Sequence, residues 1–144
     1  MSDTVRIFSI EDIEPRQMKS ERTGETFGFM RLLSAFAGID NLLIWQETLV
    51  PRRRSSSPHS HSKKKEMILV MQGTLSVQHG DTFYDVPAGS AVSFLPDDKP
   101  HVTFNKSEDD VVVLGIATNP DDDVVRYADL TRGRTANPAD VSID

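Results

Sequence analysis

Two histidines one residue apart, His59 and His61, are followed five positions later by Glu66 and further on by Gly73, while His101 stands four residues before Asn105. Alternate residues of an extended strand point the same way, about 6–7 Å apart along it. Two imidazoles at that spacing can therefore converge on one ion through metal–nitrogen bonds of roughly 2.0–2.1 Å. Glu66 is an odd number of positions beyond His61, so on an unbroken strand it would face away. The intervening Ser62-Lys63-Lys64-Lys65 must then be a turn or bulge that re-aims the carboxylate, and four polar residues suit that role. The geometry closes only in a β protein.

Strand signals recur along the rest of the chain. Residues 4–8 are expected to form an edge strand, Ser9–Asp12 to open one helical turn stopped by Pro15, and 16–26 to be a polar loop. Apolar runs follow at 27–36 and 41–50, and then short strands at 66–71, 74–78, 82–86, 90–95, 101–105 and 111–117. Gly, Pro, Asp and Ser punctuate them. Many short strands without a long helix predict an all-β sandwich or barrel. The expected organisation is an N-terminal edge strand and loop (1–26), one β-barrel (27–130), and an extended or mobile tail (131–144).

The residues quoted above resemble the cupin superfamily. His59-Ser-His61, four residues, Glu66, six residues and Gly73 match its first motif, with Arg53 where many members have a leading glycine. The stretch Gly89 to Asn105, containing Pro96 and His101, is similar to its second motif; Asp98 holds the usual glycine position, and one extra residue separates Gly89 from Pro96. Gly115-Ile-Ala117 followed by Asp122 to Asp129 resembles the end of small single-domain cupins of unassigned activity. The resemblance implies a double-stranded β-helix, or jelly-roll barrel.

The expected metal ligands are His59, His61, Glu66 and His101. Three imidazoles and a carboxylate suit one divalent transition metal, Fe, Mn, Ni, Cu or Zn, rather than Ca or Mg. The reading is a mononuclear metalloenzyme acting on a small organic molecule, anionic or neutral, by dioxygenation or isomerisation. The alternative is a non-catalytic module that binds or senses a small molecule or metal. No general acid or base is identified outside the ligand set. A Ser-His-Asp hydrolase is disfavoured, since no Gly-x-Ser-x-Gly elbow occurs.

Charge narrows the partners. The net charge of −6 argues against nucleic acid as a partner. Six of the sixteen basic residues nevertheless fall between Arg52 and Lys65. Lys63, Lys64 and Lys65 are accordingly candidate substrate-binding residues at the pocket mouth, against the simpler reading of a solvated rim. The chain has no cysteine, no leader-like start and no membrane span, and a cytoplasmic location is expected. Alternation aims Met67, Leu69, Met71, Val102 and Phe104 outward. If these apolar residues share a face, a homodimer would bury it, unless the N-terminal strands or the tail cover it. Asp97 and Asp98 flank the second motif, where either could orient an imidazole. Trp45 is expected in the core and His79 on the surface.

Overall fold

The computed structural model describes residues 4–128. Eleven strands make up nearly all of its regular structure: β1 (Arg16–Lys19), β2 (Thr26–Leu32), β3 (Leu42–Leu49), β4 (His59–His61), β5 (Glu66–Gln72), β6 (Thr74–His79), β7 (Thr82–Pro87), β8 (Ala91–Phe94), β9 (His101–Phe104), β10 (Val111–Thr118) and β11 (Val125–Tyr127). They pair antiparallel in two sheets, ordered β1-β2-β3-β10-β5-β8 and β11-β4-β9-β6-β7. This is the expected jelly roll. The expected tail at 131–144 lies outside the described residues.

Period-two alternation explains why these segments are strands. In β3, Trp45, Glu47 and Leu49 are buried while their neighbours are half-exposed; in β10, Val111, Val113, Gly115 and Ala117 turn inward in the same way. The core lies between the sheets, where Leu49, Val70 and Val111 of one meet Leu75 and Val77 of the other. Each fully buried aliphatic side chain of this kind contributes about 1.5–3 kcal/mol. Trp45 joins this core across from Gly115, its cross-strand partner. A Cβ on residue 115 would lie 2.1 Å from the indole, so only glycine lets the ring lie flat against β10.

The N-terminal region differs from expectation. Residues 5–8 form no strand, and Val5 and Ile7 are exposed. The edge strand is instead β1, inside the segment read as a loop, paired through Arg16↔Met30 and Gln17↔Phe29. All four of its residues are exposed, so no hydrophobic alternation marks it. The expected helical turn is present as a 3-10 turn, Ile10–Asp12, capped by the Ser9 hydroxyl. The apolar run 27–36 is not one strand: it breaks at Leu32 into a short helix, α1 (Leu33–Ala37), which ends at Gly38 in the left-handed conformation.

The expected outward face also needs correction. Met67, Leu69 and Met71 belong to β5 in the six-stranded sheet, whereas Val102 and Phe104 belong to β9 in the five-stranded one. The five residues therefore share no single face. Met67 and Met71 are exposed as expected, but Val102 and Phe104 are already buried within the chain, at 4% and 2% exposure.

Candidate metal centre

The segment between His61 and Glu66 does more than turn. It carries the chain from β4, in the five-stranded sheet, to β5 in the six-stranded one. Two histidines thus approach from one sheet and the carboxylate from the other, which resolves the odd spacing. His59 pairs directly with His101 across β4 and β9, bringing the third imidazole to the same place.

One potential ligand atom from each of His59, His61 and Glu66 lies within 4.8 Å of the other two. His101 stands beside them, its Nε2 3.1 Å from Glu66 Oε1. Its ring centre is 4.7 Å from that of His59 and 6.2 Å from that of His61. Phe94 stacks flat against the opposite side of the His101 ring, 3.9 Å away, and limits its rotation.

Hydrogen bonds fix which nitrogens are free. His59 Nδ1 is 2.8 Å from the Ser57 carbonyl oxygen, which can only accept, so the imidazole donates there. His61 Nδ1 donates likewise to Asp123 Oδ2 at 2.7 Å. In the neutral form each ring would keep its Nε2 lone pair for another partner. Burial, reinforced by the charges that His101 and His61 would carry, pushes His59 below the usual histidine range despite its bond to Ser57. Burial opposes ionisation of Glu66, but the bond from His101 and the three neighbouring imidazoles outweigh it and hold the carboxyl below its usual range. A His59 held towards its neutral form and a Glu66 held towards its ionised form are what a divalent metal needs, so these residues fit such an ion.

Asp123 is the main site residue that sequence reasoning missed. Its Oδ1 accepts from the backbone N–H of Lys63 and of Lys64, at 2.8 and 2.9 Å, while Oδ2 holds His61. Burial works against its charge, yet these donors hold it well below the usual aspartate range. Asp97, proposed to orient an imidazole, instead binds His79 at 2.7 Å, outside the donor cluster, and Asp98 pairs with Arg126.

The donors open onto a cavity of about 370 Å³, walled on its apolar side by Phe27, Met30, Trp45, Ile68 and Phe94 and bordered by Met18, Lys19, Lys64 and Tyr127. The three candidate lysines diverge. Lys64 lines this cavity, Lys63 reaches out to Asp122, and Lys65 borders a separate depression beside Leu42 and Met67. A ligand in the cavity would have its polar end at the donors and its body against apolar walls.

A model of the cupin domain matches residues 45–117, which include all three strands that carry the donors and all the residues between them. The chain belongs to the cupin family. Solved cupin structures agree in fold. A sugar phosphate isomerase of the cupin superfamily from Silicibacter pomeroyi superposes with a TM-score of 0.78 at 20% identity, over 85% of this chain and 82% of that one. The polyketide cyclase RemF from Streptomyces resistomycificus gives a TM-score of 0.73 at 19% identity, over 89% and 88%. At such identities the likeness establishes this cupin's architecture alone. No curated protein matches the sequence. Among the described residues, no helix is long and apolar enough to cross a membrane.

Proposed function

We propose that this cupin is a mononuclear metalloenzyme, with His59, His61, Glu66 and His101 holding one divalent transition metal and a small organic molecule bound beside it. The observation that carries this reading is the clustering of three donor atoms within 4.8 Å, with the Nδ1 of both β4 histidines already committed elsewhere. A metal held there supplies a Lewis acid for isomerisation, or, if redox-active, a centre for dioxygenation. The chain's own residues do the rest. Phe27, Met30 and Trp45 give the cavity an apolar wall, and Lys64 and Lys19 at its border favour an anionic ligand. The sugar phosphate isomerase and the polyketide cyclase on the same fold are examples of the small-molecule chemistry that the barrel accommodates.

The test is elemental analysis of protein purified without a metal-affinity tag. About one divalent ion per chain is expected, falling sharply in a His59→Ala, His61→Ala double variant that retains its fold. Full occupancy in the double variant would refute the assignment. Oxygen uptake with catechols, thiols and keto acids, run beside product analysis with sugar phosphates, then separates oxygenation from isomerisation. A metal-loaded protein that binds these compounds and converts none would be a binding module.

A further inference from the structure

Glu47 lies on the inward face of β3, between Trp45 and Leu49, and is 1% exposed. A carboxylate on an apolar strand face is costly unless something compensates it. Here the compensation comes from the opposite sheet. The segment carrying Ser55 runs along β9, with Ser55 N–H donating to the Thr103 carbonyl, and the Ser55 hydroxyl reaches Glu47 Oε1 at 2.8 Å and Oε2 at 3.1 Å. Ser55 also lines the cavity that holds the metal donors. Glu47 is thus one hydroxyl away from whatever occupies that cavity.

We propose that Glu47 and Ser55 form a proton relay for this cavity, in which Ser55 Oγ meets a hydroxyl-bearing ligand such as an enol or phenol and Glu47 holds the transferred proton. The inference rests on the metal-site reading above. In the forward step the ligand O–H breaks and its proton passes to Ser55 Oγ, while the original Ser55 proton passes to Glu47 Oε1. The ligand becomes an oxyanion beside the imidazoles, Glu47 becomes neutral, and Ser55 is unchanged. The reverse step returns the proton.

The surroundings of Glu47 favour that direction. β2 sets Met30 opposite it and β10 sets Val113 beside it. Gly28 is so close that a Cβ there would come within 3.1 Å of Glu47 Cγ, which leaves no room for water on that side. Besides Ser55, the group acting on it is the negative Glu66; Arg54, next in sequence to Ser55, is engaged by Glu25. Burial first, with the repulsion of Glu66, raises the Glu47 carboxyl to about 7 against the opposing bond from Ser55. A group poised there can take or give a proton near neutrality.

The probe is 4-nitrocatechol mixed with zinc-loaded protein in a stopped-flow spectrometer, following loss of its second phenol proton, the one that the free probe keeps at neutral pH. Metal content is measured first for every variant. In the wild type the deprotonation rate should rise with pH through an inflection near pH 7 to a plateau above it. Glu47→Gln and Ser55→Ala should each lose that inflection and slow the step by at least about tenfold, with little change in metal content. Ser55→Ala keeps the test decisive if Glu47→Gln folds poorly. In the metal-free protein, infrared spectra at pH 6 should show a protonated-carboxyl band that Glu47→Gln removes. Equal rates and pH profiles in all three metal-loaded proteins would overturn the relay alone. Failure of the wild type to bind zinc would overturn the metal site and the relay together.

Discussion

Asp123 Oδ2 lies 2.7 Å from His61 Nδ1, although 62 residues separate the two in the chain. The same carboxylate fixes the turn between His61 and Glu66 through two backbone N–H groups, so one side chain sets both the ring and the approach of the strand carrying Glu66.

Asp123→Asn should separate these roles. The amide oxygen can still accept from Lys63 and Lys64, but its NH2 group would face His61 Nδ1 and force the proton onto Nε2. That removes the lone pair proposed for the metal. Zinc affinity, measured by competition with a chelating dye, should fall about 10–100-fold with the fold intact. An unchanged affinity would mean that His61 needs no orienting acceptor.

Glu47 imposes a pH dependence of known sign. Folded protein holds the Glu47 proton up to about pH 7, whereas the unfolded chain releases it near 4.5. Between those values unfolding releases a proton, so stability falls as pH rises; outside them Glu47 contributes no slope. The metal-free wild type should therefore lose on the order of 3 kcal/mol relative to Glu47→Gln across that window, at about 1.4 kcal/mol per pH unit. Urea unfolding at a series of pH values gives the comparison, and parallel curves would show that the carboxyl ionises normally.

Gly115→Ala tests the close approach of β10 to Trp45. The added methyl would sit 2.1 Å from the indole, so the ring must move. Overpacking of this sort costs about 1–3 kcal/mol. Trp45 is the chain's single tryptophan, so its emission reports the displacement directly. A variant with unaltered emission and melting temperature would show that the strand yields instead.

Lys64→Gln should weaken capture of a small anion such as oxalate by the metal-loaded protein and flatten its salt dependence. Lys63→Gln and Lys65→Gln should change little, because Lys63 is turned to Asp122 and Lys65 lies on another depression. The charge of an exposed lysine reaches only about 8 Å at physiological salt. Calorimetric titration at low and high salt distinguishes the three. Equal affinities would leave all three lysines as a solvated rim.

Much of this was legible in the residues themselves. Strands β5 to β10 announce themselves by alternation between turn residues, and the His59-x-His61-x4-Glu66 spacing shows that the chain must turn before Glu66. What stayed hidden has physical reasons. The edge strands β1 and β11 are wholly exposed and held by backbone pairing, which leaves no trace in side-chain type. Helix α1 has five residues, too few for a helical period to show. Alternation set Val102 and Phe104 opposite His101, but all four residues of β9 are buried, and alternation says nothing about which sheet a strand joins or what buries its far side. Asp123 could not be assigned to His61 by spacing, since a loop residue 62 positions away meets a strand only through topology. Glu47 was readable in principle: Trp45-x-Glu47-x-Leu49 places a lone carboxylate on the apolar side of a strand, and such a residue needs a reason to be there.

The place of β10 has a consequence for how the molecule assembles. Among the described residues it is the penultimate strand, yet it lies between β3 and β5 at the middle of the larger sheet. Until residues 111–118 arrive, β1–β3 and β5–β8 are separate ribbons, each with an open inner edge and no shared core. Joining them requires contacts between residues forty or more positions apart, the kind of topology that folds in roughly milliseconds to seconds rather than microseconds. During that interval the bare edges of residues 42–49 and 66–72, both rich in aliphatic side chains, are templates for another copy of the chain. The strand that completes the sheet is therefore also the one that ends its exposure to aggregation.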